Sequence, residues 1–161
     1  MIVAFIPARG GSKSIPLKNI KPFCEKPLLY WNLLAIENSL KIDEVYVATD
    51  SDEIKNAVLS FNFKKTKIYD RDPLNAADAS STESVMMEFL AKKSFKSEDL
   101  FILVQATSPL TETKDFDSAI DKYLDSDFDS MLSVVRTKRF YWNHNGEPLN
   151  YDFIKRPRRQ D

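Results

Sequence analysis

The chain has 161 residues, 43% of them apolar, which is enough for one domain with a hydrophobic core and too few to expect two. Its 23 basic and 24 acidic side chains nearly cancel, so no global field favours a nucleic-acid or membrane partner, and any anion site must be local. One cysteine and one histidine exclude a disulfide framework and a His/Cys metal cluster. Because the sequence has neither a bilayer-spanning apolar run nor an export signal, we expect the protein in the cytoplasm.

The first nineteen residues predict a buried strand followed by an anion-binding loop. Residues 2–6 form a continuous apolar run that proline and glycine then interrupt. Two of the three glycines, Gly10 and Gly11, stand side by side in the loop. The loop also carries three cations: Arg9, Lys13 and Lys18. Paired glycines allow positive φ and bring backbone N–H groups close to a ligand, and the cations suit phosphate oxygens, so the loop predicts a triphosphate cradle.

An ordinary strand-to-helix turn with solvated charges is the alternative for this loop, and loop chemistry alone leaves the two equally open. The spacing excludes the G-x-x-x-x-G-K-[ST] pattern of a P-loop and the G-x-G-x-x-G pattern of a dinucleotide fold. Any nucleotide must therefore be bound in a different way.

A helix is predicted next, with one face against a sheet. Pro27 can open it at the first turn. Its apolar positions recur at four-three-four spacing: Leu29, Leu33, Ile36 and Leu40. Tyr30 and Trp31 are expected in the core or at an interface, and Cys24 is expected to be a small loop or core residue rather than a nucleophile.

A second strand and helix are predicted between residues 44 and 61. Residues 44–49 have the pattern of a strand, and residues 50–53 supply a cap and first-turn acids for a helix. Its inward residues are expected to be Ile54, Val58 and Phe61. The acids of residues 50–53 also permit a metal site, but capping is favoured because aspartate is a usual N-cap residue.

A short strand around residues 67–69 leads into a polar loop that leaves Arg71 to face a ligand. Residues 80–83, Ser-Ser-Thr-Glu, fit a capping box at the start of a further helix. The inward residues of that helix are expected to be Val85, Met86, Phe89 and Leu90. The hydroxyls of the box can serve the cap, a ligand, or both.

Residues 100–104 form the most apolar run and predict the central strand, which ends in a polar turn at residues 105–111. Because ligands bind at the carboxyl ends of strands in an open parallel sheet, we expect this turn and the glycine loop over one crevice. A helix and a strand at residues 131–135 follow. The helix carries Phe116, Ala119, Ile120 and Tyr123. The remainder is less regular, with His144 expected in a surface turn.

The alternation of strands and helices predicts one α/β domain over residues 1–161, with a doubly wound, mostly parallel sheet and helices on both faces. The basic and aromatic stretch at residues 136–142 is short, and the net charge is balanced. Nucleic-acid binding is therefore not predicted.

Four loops, in their order and spacing, resemble those of the acylneuraminate cytidylyltransferases, the CMP-sialic acid synthetases. They are residues 7–19, Arg71 with residues 80–82, residues 105–109 and residues 156–161. The resemblance covers essentially the whole chain. It implies a nucleotide-diphospho-sugar transferase fold. It also implies transfer of CMP from CTP to the anomeric hydroxyl of a nine-carbon acidic sugar such as sialic acid, with Mg²⁺ as cofactor and release of pyrophosphate.

The resemblance also implies roles for individual residues. Arg9, Lys13 and Arg158 would be catalytic. The nucleotide and substrate would be bound by Arg9, Gly10, Gly11, Ser12, Lys13, Lys18, Asn19, Arg71, Ser81 and Gln105. No metal ligand is named, because the family's Asp-x-Asp pair follows the Arg-Pro-Arg-Arg-Gln-Asp motif with which this sequence ends, and the family's C-terminal segment is absent from it. A homodimer is expected because the family tends to dimerise.

Two alternatives stay open. One is CMP transfer to another ulosonic acid, such as legionaminic, pseudaminic or deoxyoctulosonic acid, although the loop at residues 105–109 leans toward nine-carbon sugars. The other is a nucleotide-binding module without catalysis. The preference for CTP over UTP follows from the resemblance alone, because the groups that distinguish an amino group from a carbonyl on the base cannot be located in a sequence.

Overall fold

The structure is a computed structural model that describes residues 1–11, 15–72 and 81–158. The chain divides into two compact units, Met1–Asp127 and Phe128–Asp161, and each is described by itself. The prediction of a single domain over residues 1–161 stays a prediction. Ser12 and Lys13 lie outside the described residues, as do the last three residues of the terminal motif.

A four-stranded sheet organises the first unit. The strands, in chain order, are β1 (Ile2–Pro7), β2 (Pro22–Phe23), β3 (Lys26–Pro27), β4 (Glu44–Thr49), β5 (Thr66–Asp70) and β6 (Leu100–Leu103), and the helices are α1 (Leu28–Glu37), α2 (Asp52–Leu59), α3 (Thr82–Lys92) and α4 (Thr113–Leu124). The order across the main sheet is β5-β4-β1-β6, and every neighbouring pair is parallel. In the register of the two central pairs, Val3 of β1 lies opposite Glu44 and Phe101.

Helices cover both faces of this sheet. Alternate residues of β1 point to opposite sides, so Ala4 and Ile6 join one hydrophobic cluster while Val3 and Phe5 join another. The first cluster includes Leu29, Leu33 and Ile36 of α1, Ile54 and Val58 of α2, and Phe116 and Ile120 of α4. The second includes Val85 and Phe89 of α3. The predicted doubly wound α/β fold is therefore confirmed.

Serine side chains begin two of the helices. Ser51 Oγ accepts a hydrogen bond from the Ile54 N–H at 3.3 Å, so one residue of the predicted capping run does cap α2. Ser81 Oγ accepts from the Ser84 N–H at 3.1 Å and caps α3. Because α3 starts one residue later than predicted, serine rather than glutamate occupies its third position, and the predicted capping box is wrong in register.

Two predicted apolar positions lie beyond the ends of their helices. Leu40 is 96% exposed because α1 ends at Glu37, so its place in the buried stripe is wrong. Phe61 follows the end of α2 but still packs, partly buried, against the first cluster. Spacing alone predicted both positions, and it does not show where a helix stops.

Two strand predictions are also corrected. In the described part of the sheet β6 is an edge strand, with β1 and β4 in the interior. Its apolar run reflects coverage on both sides, since Ile102 packs on the first cluster and Phe101 on the second. Residues 131–135 form no strand: within the described residues of the second unit this exposed run has no strand to pair with, and propensity alone does not make a ladder.

Strands β2 and β3 form a hairpin with a two-residue turn. Its turn residues, Cys24 and Glu25, have φ values of 48° and 65°. Trp31 Nε1 donates to the Phe23 carbonyl oxygen at 2.8 Å and so ties the hairpin to α1. Cys24 is exposed in this turn, in agreement with its expected place in a loop.

The second unit is held by a turn and an aromatic cluster. The Asn143 N–H donates to the Glu147 carbonyl oxygen at 2.9 Å, and His144 is exposed within this turn, as expected. The rings of Phe140 and Tyr151 are 4.3 Å apart between centroids, and the Arg156 guanidinium lies 4.7 Å from the centroid of Phe140. Across the part of the chain that the structure describes, no helix has the length and apolar character needed to cross a bilayer.

Candidate functional site

A cavity of about 270 Å³ lies in the first unit, at the carboxyl ends of the parallel strands. It is lined by Pro7, Arg9, Lys18, Asn19, Arg71, Ser81, Thr82, Val85, Gln105, Ala106 and Thr107. The chain adds β4 and β5 on one side of β1 and then returns to place β6 on the other. The cavity is therefore at a topological switch point, and the turn after β6 meets the loop after β1 there, as the sequence predicted.

Six of the predicted site residues line this cavity: Arg9, Lys18, Asn19, Arg71, Ser81 and Gln105. Gly10 and Gly11 do not line it. Ser12 and Lys13 lie outside the described residues, and Arg158 belongs to the second unit. The functional roles of all these residues stay predictions.

Arg71 brings a largely buried charge to the cavity. It follows β5 directly, its N–H donates to the Thr49 carbonyl oxygen at 3.3 Å, and only 9% of the residue is exposed. Burial lowers the pKa of the Arg71 guanidinium; nearby Asp50 opposes that shift and nearby Arg9 adds to it. Because the ordinary arginine pKa lies far above neutrality, we expect Arg71 to stay charged. Two guanidinium groups thus serve one cavity.

The glycine loop differs from its prediction. Neither Gly10 nor Gly11 has positive φ. The Gly10 N–H donates to Asp50 Oδ1 at 3.0 Å, so it does not point to a ligand, and that part of the prediction is wrong. A Cβ added at Gly10 would lie 2.8 Å from the Ser51 Cβ, whereas one added at Gly11 would meet no atom of the described residues within 4 Å. Glycine is needed at position 10 for close approach to the start of α2.

Side-chain amides hold two of the segments that line the cavity. Asn19 Nδ2 donates to the Arg9 carbonyl oxygen at 3.3 Å, and Asn32 Nδ2 donates to the Ala106 carbonyl oxygen at 3.3 Å. Sequence reasoning missed Asn32 and the contact of Asp50 with Gly10. The available signal for Asn32 was a single amide within the apolar sequence of α1.

Metal-binding geometry is not found among the described residues, which contain no group of three or more His, Cys, Asp or Glu that could hold an ion. Asp50 is hydrogen-bonded to the glycine loop and stands without two further carboxylates that could share an ion with it. The described residues by themselves therefore do not fit a magnesium site.

The arrangement suits a ligand with several anionic oxygens. Arg9, Lys18 and Arg71 provide positive charge, and guanidinium groups match phosphate oxygens in pairs. Neutral hydrogen-bonding groups of the same cavity come from Asn19, Ser81 and Gln105. Thr82 and Thr107 also line it. A nucleoside phosphate combines both requirements.

Comparison with known proteins gives one family and several relatives. The family model described as "Cytidylyltransferase" matches residues 3–158. N-acylneuraminate cytidylyltransferase A of Danio rerio is 36% identical over 99% of this chain and 38% of the relative. Pseudaminic acid cytidylyltransferase of Campylobacter jejuni subsp. jejuni serotype O:23/36 (strain 81-176) is 30% identical over 93% of this chain and 67% of the relative. The chain thus spans 38% of the length of the first relative.

Solved structures share the fold. One described as CMP:2-keto-3-deoxy-manno-octonic acid synthetase complexed with CTP superposes with a TM-score of 0.64 at 25% identity, over 77% of this chain and 47% of that one. A 4-diphosphocytidyl-2C-methyl-D-erythritol synthase superposes with a TM-score of 0.58 at 13% identity, over 78% and 55%. The likeness to the second protein is one of fold alone.

Proposed function

The chain belongs to the cytidylyltransferase family, and from that premise we propose that it transfers CMP from CTP to the anomeric hydroxyl of a sialic-acid-like nine-carbon sugar, as an N-acylneuraminate cytidylyltransferase. The observation that carries the proposal is the convergence of Arg9, Arg71 and Gln105 on one cavity at the switch point of the sheet. The 36% identity with a named N-acylneuraminate cytidylyltransferase supports it. The activity is a proposal because the chain spans only 38% of that relative.

The chemistry explains the residue types. The sugar hydroxyl oxygen forms a bond to the α-phosphorus of CTP, the bond from that phosphorus to pyrophosphate breaks, and the hydroxyl proton passes to solvent water. Negative charge builds on the non-bridging oxygens and on pyrophosphate, and fixed cations stabilise it. We assign phosphate contacts to the loop after β1, through Arg9, Ser12, Lys13 and Lys18 together with Gly11. Gly10 is left out, because its N–H donates to Asp50. Asn19, Arg71, Ser81 and Gln105 are assigned to the nucleotide and substrate pocket.

Arg158 is proposed as the active-site arginine of the second unit, together with Arg9 and Lys13 of the first. It lies within the basic stretch that includes Arg156, at the end of the described chain. An arginine that acts on transition-state charge should affect the rate more than ground-state binding. The variant Arg158→Ala should therefore lower turnover while the Kd for CTP stays unchanged.

Mg²⁺ is included in the proposal as the cofactor, with the family resemblance as its support. When bound, a divalent cation neutralises charge on the phosphates. Because the described residues do not fit its site, every role above is assigned to the chain's own side chains. A homodimer and a cytoplasmic location are part of the same proposal, supported by the resemblance and by the composition.

A second candidate is transfer of CMP to a different ulosonic acid. It is favoured by the 30% identity with a pseudaminic acid cytidylyltransferase over 93% of this chain. The two candidates share the CTP site and differ only in the sugar. Pyrophosphate release measured with N-acetylneuraminic acid and with pseudaminic acid, each with CTP and Mg²⁺, decides between them.

Calorimetric titration of the chain with CTP, UTP, ATP and GTP in the presence of Mg²⁺ tests the proposal. We expect selective binding of CTP. Arg9→Ala should weaken CTP binding and, in a turnover assay, lower the rate on the order of a hundredfold. Lys122→Ala, which removes an exposed cation on α4, is the control and should change neither quantity.

Equal binding of all four nucleotides, or none at all, would contradict the proposal. Selective CTP binding without release of pyrophosphate from CTP in the presence of either sugar would instead favour the nucleotide-binding module without catalysis. Unchanged CTP binding and turnover in Arg9→Ala would contradict only the assignment of Arg9 to the phosphates and would leave the proposed activity in place.

A further inference from the structure

Helix α1 carries a fully buried amide, Asn32, among apolar side chains. Leu29, Leu33 and Ile36 of the same helix are also fully buried. A polar side chain in such a place lowers stability unless its hydrogen bonds are made, so it calls for an explanation beyond packing.

Asn32 reaches the cavity through the backbone of another segment. Its Nδ2 donates to the carbonyl oxygen of Ala106 at 3.3 Å, across 74 positions of sequence. Ala106 lines the cavity, and so do its neighbours Gln105 and Thr107. The opposite amide orientation would bring Oδ1 against the Ala106 oxygen, two acceptors together, so this contact fixes which amide atom faces the loop.

The same helix is joined to a second lining segment. The Leu28 N–H, in the first turn of α1, donates to the Lys21 carbonyl oxygen at 2.9 Å. Lys21 directly follows the short 3-10 helix Lys18–Ile20, whose Lys18 and Asn19 line the cavity. Helix α1 therefore connects the segment after β6 with the segment that follows the glycine loop.

We propose that Asn32 is a positioning residue for the CTP site, which it serves by fixing the Ala106 carbonyl and with it the places of Gln105 and Thr107. The inference rests on the proposed function for its ligand. Within the described residues Asn32 Oδ1 accepts no hydrogen bond, so half of the amide is unsatisfied and the residue is poorly suited to a purely stabilising role. The hydrogen bond from Asn32 Nδ2 to the Ala106 carbonyl oxygen is the contact that a leucine at this position could not make.

Asn32→Leu tests the inference, because leucine has a similar size and cannot donate. We expect faster amide hydrogen exchange in residues 104–108 of the ligand-free protein and a Kd for CTP about tenfold higher. The midpoint of thermal unfolding should stay the same or rise, since the unsatisfied amide oxygen is removed. Binding and stability would then change in different directions, which a merely structural role does not predict.

Leu33→Ala is the matched control, one residue further along the same helix. It should lower the unfolding midpoint by creating a cavity, yet leave CTP affinity within about twofold when binding is measured well below that midpoint. Asn32→Ser is the second variant: it is polar, introduces no overpacking, and is too short to keep the contact with Ala106. If Asn32→Leu fails to fold, we expect the same faster amide hydrogen exchange in residues 104–108 of Asn32→Ser.

Unchanged exchange in residues 104–108 of both Asn32 variants overturns the positioning role, and so does an equal loss of CTP affinity in Leu33→Ala. If the wild-type chain binds no CTP, the proposed function fails, while the exchange measurement still decides whether Asn32 positions the loop. Faster exchange with unchanged CTP affinity would show that Asn32 positions the loop but does not contribute to CTP binding, and this overturns the proposal.

Discussion

Gly10 is the residue at which the loop after β1 meets the start of α2. Its N–H donates to Asp50, and its lack of a side chain lets the loop lie against Ser51, the N-cap of α2. The sequence indicated that a glycine matters here but assigned it positive φ and a ligand-facing N–H. The true reason is a contact between residues forty positions apart, which local sequence does not contain.

Substitution of Gly10 by alanine should lower the free energy of unfolding by about 1–3 kcal/mol, because the new Cβ must displace Ser51 or the loop. Gly11→Ala is the control, since its Cβ would meet none of the residues that the structure describes, and it should change stability by less than about 0.5 kcal/mol. Urea unfolding of both variants measures the difference. Equal losses in the two would contradict the close approach.

Ser51→Gly should partly restore the stability of Gly10→Ala. It removes the Cβ that lies 2.8 Å from the added methyl, and glycine as an N-cap costs only a few tenths of a kcal/mol. A double-mutant cycle of the three variants gives the coupling energy between the two positions. Additive effects would show that the loss in Gly10→Ala has another origin.

At the scale of elements, a side-chain cluster joins β4 to β5. Lys67 of β5 donates to Glu44 of β4, and the Tyr46 hydroxyl donates to the other oxygen of the Glu44 carboxylate at 2.8 Å. These hydrogen bonds, first that of Lys67 and then that of Tyr46, lower the pKa of Glu44. The register of the two strands places Lys67 opposite Tyr46, so all three side chains share one face.

The lowered pKa of Glu44 gives its contribution to stability a direction with pH. The contribution is present above the unfolded pKa of about 4.3 and is lost as pH falls through the lower folded pKa. Glu44→Gln should cost about 1 kcal/mol or less at pH 7, because the pair is partly exposed, and the difference from wild type should shrink below about pH 4. Denaturant unfolding at both pH values measures it. Glu25→Gln is the control.

The β2–β3 hairpin is another element open to improvement. Both turn residues, Cys24 and Glu25, have positive φ, a geometry that favours Asn-Gly. Glu25→Gly should therefore stabilise the protein by about 0.5–1 kcal/mol, and Glu25→Ala should not. Thermal unfolding compares the two. A loss of stability in Glu25→Gly would mean that the Glu25 side chain itself matters.

Elements were predictable where an apolar pattern matched a packed face. The stripe of α1 is correct at Leu29, Leu33 and Ile36 and wrong at Leu40, where the helix has already ended. For β6 the apolar run shows that both faces are covered, but it carries no information on sheet position. The run at residues 131–135 lacks a pairing strand among the described residues of its unit, and pairing is not encoded in the run itself.

At the scale of the molecule, the two units hold different parts of the proposed machinery. Every residue that lines the cavity lies in Met1–Asp127, and so do both hydrophobic clusters. Arg158 lies in the other unit. The meeting of the turn after β6 with the loop after β1 was predicted from the sequence, because both follow strands of a parallel sheet. The link from Asn32 to Ala106 depends on tertiary packing and was not predicted.

A chain that ends at Asp127 should therefore keep its affinity for CTP within about threefold and release no pyrophosphate with any acidic sugar. Its core is complete, while the proposed active-site arginine is missing. Calorimetry and a pyrophosphate assay on the shortened and full chains make the comparison. A folded, shortened chain that binds no CTP would show that the second unit supplies binding residues.

The exposed turn between β2 and β3 also offers a practical route to these measurements. Cys24 is the single cysteine of the sequence, and it lies four residues after the end of the short 3-10 helix whose Lys18 and Asn19 line the cavity. A maleimide fluorophore can therefore be attached at one defined position without changing any other residue. Emission from such a label would report on nucleotide titrations at protein concentrations too low for calorimetry.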